Sequence, residues 1–398
     1  MTRRLFVHIG LHKTGTTYLQ NLLRANRAQL RDQHVNFPGG EDHLVQTFAV
    51  WDLIGRRPRG SKDARIPGQW ALLVQHVNAS VEPVTLISEE RLSLATAKMA
   101  RRVVGSFPDA EVHVIVTARD LARVLVSAWQ EELKNDTTFT WQAYAAALRD
   151  LDNRSASPAR GFWMRQDLPA ILETWRDVVP AERIHLVTVP PRGGDGALLT
   201  QRFCGVLGVD PARLTAKARW NNETMGVAAT EVVRRLNELL DHRLNQRQYD
   251  KVVKLTLAQD LARHADAERF VLPGEELDWV TGEARRHIRA ISAGGYDVVG
   301  DLEDLVPRPG PGRRPDDVGD SEVADTAMIA LATLAERYAT SWWNRRPDDA
   351  QVAAGPVDRL RSGVRSAVFR AQRRAVKIAD ANPLAGKVLA SYLRRARG

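Results

Sequence analysis

Leu5-Phe6-Val7-His8-Ile9-Gly10-Leu11-His12-Lys13-Thr14-Gly15-Thr16-Thr17 is the stretch whose reading decides the fold. Its first five residues are apolar except for His8 and read as a buried strand. The residues from Gly10 to Gly15 read as a turn. Thr16 and Thr17 then open a helix whose Leu19, Leu22 and Leu23 share one face, so both hydroxyls fall in the first turn, where they can cap orphan amides or bind oxyanions. The spacing nearly matches the phosphate loop G-x-x-x-x-G-K-[ST], but threonines follow Gly15 and the lysine lies inside the loop as Lys13. The backbone amides and helix N-terminus that hold an anion are kept, while the arm that reaches a terminal phosphate is relocated. The pattern implies a phosphate cradle for a nucleotide with a different reactive end.

A second anion signal lies about a hundred residues further on. Ala110 to Ala118 is a β-branched strand ending in Arg119-Asp120, and an amphipathic helix after it carries Ser127. A guanidinium at a strand end offers a bidentate fork to phosphate, and a serine eight residues later, about two helical turns on, adds a donor from the same side. Two more apolar segments read as strands: Val84 to Ser88, which runs into Glu89-Glu90, and Arg183 to Pro190, which precedes a helix into Phe203 and Cys204.

With both signals in hand, the chain resembles a known family. His12-Lys13-Thr14-Gly15-Thr16-Thr17-Tyr18-Leu19 is similar to the 5′-phosphosulfate loop of sulfotransferases, Pro-Lys-x-Gly-Thr-Thr-x-Leu, with His12 in place of the proline. The pair Arg119 and Ser127 is similar to the arginine and serine that bind the 3′-phosphate in that family. The resemblance covers roughly residues 4 to 300. It implies an α/β fold with a central, mostly parallel sheet flanked by helices, a P-loop NTPase-like sulfotransferase fold, here with a helical C-terminal appendix. It implies 3′-phosphoadenosine 5′-phosphosulfate (PAPS) as the sulfuryl donor, with no metal. The residues expected to bind it are His12, Lys13, Thr14, Gly15, Thr16, Thr17, Arg119 and Ser127.

Sulfuryl transfer needs a base for the acceptor and cations for the leaving phosphate. Lys13 is expected to stabilise the bridging oxygen. Glu89 is the first candidate for the base, because the resemblance implies a catalytic Glu, Lys or His at its strand-end position, and Glu90 is a near rival, since alternate strand residues face opposite sides. His43 is the third, its near-neutral imidazole suiting the task.

Composition bounds the rest. The chain has 398 residues, 44% of them hydrophobic, and no run approaching the ~20 apolar residues of a membrane span. The basic Met1 to Arg4 and the interrupted apolar stretch after it read as a first strand rather than a leader. A lone cysteine, Cys204, excludes an intramolecular disulfide and a cysteine-cluster metal site, and fits a reducing cytoplasm. The net charge of +9 would suggest nucleic acid, but residues 355–398 hold 11 basic and two acidic residues and so carry the whole excess. Pro307 to Pro315 is punctuated like a linker. The organisation read is a sulfotransferase domain over 1–306, a Pro/Gly-rich linker over 307–320 and a basic helical region over 321–398. Helices are expected from Ala324 to Trp343 and from Val357 to Ile378, the second a basic amphipathic stretch that can contact an anionic membrane surface. The expected partner is a small-molecule, glycan or glycolipid acceptor, not nucleic acid. Rival readings are a nucleotide kinase of similar architecture, which should place a lysine after Gly15, and a non-catalytic nucleotide- or membrane-surface-binding protein.

Overall fold

Six strands form one sheet: β1 (Arg3–His8), β2 (Val35–Asn36), β3 (Val84–Ser88), β4 (Ala110–Ala118), β5 (Ile184–Thr188) and β6 (Asp297–Val299), in the order β2-β3-β1-β4-β5-β6. Every adjacent pair is parallel, and in register Val7 lies between Ile87 on β3 and Val114 on β4. The computed structural model describes residues 3–39, 44–55, 63–150, 152–191, 193, 195–217, 225–264 and 270–345. Helices cover the sheet on both faces, as the α/β reading requires, and the parallel expectation holds without exception in the strand pairs described.

Alternation along β1 shows why both faces are covered. Leu5, Val7 and Ile9 enter one core with Ile87, Val112, Val114, Val116, Leu186 and Trp175, while Phe6 enters the other with Leu86, Ile115, Val187, Leu19, Leu23 and Phe203. Strands with two apolar faces suit a parallel sheet buried on both sides. Each such aliphatic side chain contributes about 1.5–3 kcal/mol on burial. Cys204 lies in the second core, where burial pushes its thiol up to about 12, so it packs as an apolar group.

The order of the strands decides where a ligand can sit. The chain leaves β1 for β2 and β3 on one side, then crosses to β4, β5 and β6 on the other. The loops after β1 and β4 therefore diverge at the carboxyl edge, the place where open α/β sheets bind ligands. The helices that begin there are α1 (Thr16–Ala25) and α2 (Leu121–Leu133); α3 (Leu198–Leu207) follows β5.

By compactness the chain divides into two units, Met1–Thr333 and Leu334–Gly398. The Pro/Gly-rich stretch makes contacts within the first: Val271 donates its amide to the Arg313 carbonyl at 2.9 Å, and Gln142 donates to Asp316 at 2.6 Å. A helix, α4 (Asp320–Arg345), follows, so the C-terminal region is helical as far as it is described. The expected basic helix from Val357 to Ile378 lies outside the described residues. Among the described residues no helix is long and apolar enough to cross a membrane.

Two buried histidines make stability depend on pH. His8 is sealed in the sheet with Nδ1 2.8 Å from Ser88 Oγ, and burial pushes its pKa down to about 3. His287 is pushed down to about 4 by burial and then by Arg286, against the pull of Asp167. The unfolded chain takes up both protons near pH 6.5 and the folded protein does not, so this contribution is complete above pH 6.5 and is lost as pH falls toward 4. Denaturant melts at pH 7, 6 and 5 should lose up to about 1.4 kcal/mol per pH unit for each histidine. A flat profile across that window would show that the rings are not buried neutral.

Candidate functional site

β1 does not stop cleanly at His8. Ile9 and Leu11 donate their amides to Ile115 and Thr117 of β4, each at 3.0 Å, so the chain enters the turn still tied to the sheet. Within the turn Gly10, Lys13 and Gly15 all have left-handed backbones, with φ of 66°, 67° and 89°. At Gly10 a Cβ would lie 2.7 Å from Thr16 Cγ2 and 3.2 Å from Glu90 Cβ. Lys13 has a Cβ and adopts this conformation at a cost of order 1–3 kcal/mol, which the surroundings must repay. Thr14 does much of that. It is fully buried, its hydroxyl donating to the Leu11 carbonyl at 2.6 Å and sharing a 2.7 Å hydrogen bond with Thr117. The helix α1 then begins with no side-chain cap, so its first amides keep their donors for a ligand.

The second motif arrives from β4. Asp120 caps α2 by accepting from the Arg123 amide at 3.0 Å and also pairs with the Arg123 guanidinium. Arg119, one residue earlier, donates instead to the Lys13 carbonyl at 3.2 Å, which joins the two halves of the site directly. Both halves open onto one cavity of about 840 Å³. Lys13, Gly15, Thr16 and Thr17 line it from the turn, and Arg119 and Ser127 from β4 and α2. Val189, Pro190 and Leu199 close it from the β5 side. The volume is in the range of small-molecule sites. A second cavity of about 400 Å³ shares Arg119 and Ser127 and continues into Phe270, Leu272, Val306 and Pro309.

Not every residue singled out in the sequence reaches the cavity. Thr14 and His12 are absent from its lining, Thr14 because its hydroxyl is spent inside the turn. His12 is half-buried beside Glu90, with Nε2 3.9 Å from Oε1, and its carbonyl accepts from Gln166 at 2.8 Å. Burial, with Arg165, Arg91 and Lys13 nearby, pushes its ring down to about 4 against the opposing pull of Glu90, so the imidazole is neutral. The two neighbouring acids, Glu89 and Glu90, are placed differently. Glu89 is buried and turned out of the cavity lining, its carboxylate held by Arg91 at 2.5 Å and by the Thr47 hydroxyl at 2.7 Å. Glu90 lines the cavity and accepts the Thr16 hydroxyl at 2.6 Å. The reason is that β3 ends at Ser88 and a tight 3-10 turn starts at Glu90, which swings the second acid toward α1. His43 lies outside the described residues, as do Trp220 and Asn221 to Glu223.

Sequence reasoning passed over one whole face of α2. Arg123, Gln130, Glu131 and Lys134 line the cavity beside Ser127, at helical offsets of minus four, plus three, plus four and plus seven, a spacing that was open to view. Lys254, on the π-helix Asp250–Leu257, also lines it and pairs with Glu131 at 2.8 Å. Nothing local in the sequence marks it. Trp70, Trp129, Trp141 and Trp163 are buried in the core. Trp51 instead packs under the Arg91 guanidinium, 4.9 Å from the ring centre. Among the described residues no cluster of histidine, cysteine or acids could hold a metal ion.

The fold and site define an open α/β sheet with a cavity at its switch point that Lys13 and Arg119 both line. No family model matches the chain, and no curated protein matches it. Among solved structures it is similar to a sulfotransferase from Alicyclobacillus acidocaldarius, at 15% identity and a TM-score of 0.37, over 62% of this chain and 99% of that one. A likeness that shallow decides nothing about activity.

The turn's geometry is testable by itself. Gly10→Ala should cost about 1–2 kcal/mol for its left-handed backbone and more for the contact with Thr16 and Glu90. Gly55→Ala, with a φ of 67° and nothing within 4 Å of the new methyl, should cost only the first part. Equal losses for the two variants in urea melts would mean that the turn has slack at Gly10.

Proposed function

We propose that this protein is a sulfotransferase that moves a sulfuryl group from PAPS to a hydroxyl or amine, on a carbohydrate or glycolipid acceptor. One observation carries the reading: the Lys13 turn and the Arg119/Ser127 pair, far apart in sequence, line the same cavity and are joined by a hydrogen bond. A ligand with an anionic group at each end is what such a cavity fits. The amides of the turn and the Thr17 side chain would take the 5′-phosphate, joined by the Thr16 hydroxyl once it turns from Glu90. The Arg119 fork and the Ser127 hydroxyl would take the 3′-phosphate.

In this reading Glu90 accepts the acceptor's proton, the freed oxygen or nitrogen forms a bond to sulfur, and the bond from sulfur to the bridging phosphate oxygen breaks. The leaving phosphate keeps the electron pair, and the Lys13 ammonium offsets its charge. Support for Glu90 over Glu89 is its place in the cavity wall and its having no cationic side chain in hydrogen-bond contact among the described residues, whereas Arg91 holds Glu89.

Three substitutions separate these roles. Lys13→Ala should lower kcat about 10²–10³-fold, and Glu90→Gln about 10²–10⁴-fold, in an assay that follows sulfate transfer from PAPS across an acceptor panel. Glu89→Gln should reduce stability more than turnover. Arg119→Ala should weaken adenosine 3′,5′-bisphosphate in calorimetry by about 1.5–3 kcal/mol, the scale of a charged hydrogen bond. A thermal shift with ATP and Mg²⁺ but none with the bisphosphate would overturn the donor assignment.

A further inference from the structure

Lys13 is already engaged. Its Nζ lies 3.1 Å from Glu131 Oε2, while the other oxygen of the same carboxylate takes Lys254 Nζ at 2.8 Å. Lys254 also donates to Asn135 Oδ1 at 2.7 Å. One acid on α2 thus bridges the phosphate turn to the π-helix, and all three residues line the large cavity. Burial alone would raise the Glu131 carboxyl, but Lys13 and Lys254 together outweigh it and push it down to about 2, so it is a full anion at neutral pH.

The geometry raises a question of exchange. For Lys13 to reach an incoming anionic group it has to leave Glu131, and a part-buried carboxylate stripped of its only cation is costly. Here it is not stripped. Lys254, fixed by Asn135, stays on the other oxygen. We propose that Glu131 is a positioning residue that holds Lys13 at the cavity wall and hands it to an incoming anion, with Lys254 retaining the carboxylate after the handover. The inference deepens the sulfuryl-transfer reading and rests on it for the identity of the anion, the 5′ end of the donor; the handover itself requires only that an anion enter the turn.

Charge alone makes a simpler account available, in which Glu131 repels and Lys254 attracts any anion independently. A double-mutant cycle in the full chain separates the two. In calorimetry with adenosine 3′,5′-bisphosphate, Glu131→Gln should bind about three- to five-fold tighter, since the competing carboxylate is gone, and Lys254→Met about three- to five-fold weaker, since Glu131 then holds Lys13 alone. If Lys254 acts through Glu131, Lys254→Met should have almost no effect in the Glu131→Gln background. Full additivity of the two effects would overturn the proposal. Labelling of Lys13 by an amine reagent, read by mass spectrometry without nucleotide, should quicken in Glu131→Gln; an unchanged rate would count equally against it. If Glu131→Gln folds poorly, Glu131→Asp, one methylene short of Lys13, should shift both readouts in the same direction by less. Failure of the unaltered protein to bind the bisphosphate would sink the donor reading alone; the cycle, repeated with inorganic pyrophosphate, would still judge the handover.

Discussion

The site depends on a backbone constraint: within six residues the chain must leave a parallel sheet and start a helix with its first amides facing outward. Three left-handed residues do this, and one of them, Lys13, is not glycine. Such a turn persists only if its neighbours over-determine it. The neighbours here are specific. Leu11 is still hydrogen-bonded to β4, Thr14 is tied to both Leu11 and Thr117, Gln166 holds the His12 carbonyl, and Arg119 holds that of Lys13. Because β4 supplies Thr117 and leads directly into Arg119, the strand that precedes the Arg119/Ser127 pair also fixes the Lys13 turn. The two halves of the site are therefore positioned by one element, which keeps a fixed span between them.

Around this turn the acids are distributed so that most cations are not left facing the cavity alone. Asp120 is used twice on α2, as cap and as partner of Arg123. Glu89 is taken by Arg91 and Thr47. Glu131 is shared between two lysines, and its charge also offsets the burial that pushes Lys134 down. Glu90 differs, since its bonded partner is a neutral hydroxyl. At the turn itself the uncapped amides of α1 add the partial positive charge of a helix N-terminus.

Much of the sheet was open to a reading of the sequence. β4 is visible because nine residues rich in valine and isoleucine end in a charged pair, and its observed span, Ala110–Ala118, matches the expected one. β1, β3 and β5 carry the same signal of apolar residues on both faces. β2 and β6 were missed, being two and three residues long, too short for any period to register. The acids were harder. Alternation along a strand says that Glu89 and Glu90 part company, but the strand stops at Ser88, and the 3-10 turn beyond it decides which one reaches the cavity. Glu131 could have been found by extending the Arg119/Ser127 reading one helical turn. Lys254 could not, since a π-helix more than a hundred residues away meets α2 only in three dimensions.

His12 stands where the resembled loop has proline, and its surroundings explain why the exchange is tolerated. A cationic imidazole beside Glu90 would pair with that acid and add a second positive charge next to Lys13. Burial and the three nearby cations Arg165, Arg91 and Lys13 exclude that state more strongly than Glu90 favours it. The ring is thus a neutral filler at neutral pH, with Nδ1 making no hydrogen bond among the described residues. What the turn takes from position 12 is its backbone carbonyl, which Gln166 holds. The departure from proline therefore changes the packing beside Glu90, adds no charge to the turn, and leaves in place the carbonyl that ties the turn to Gln166.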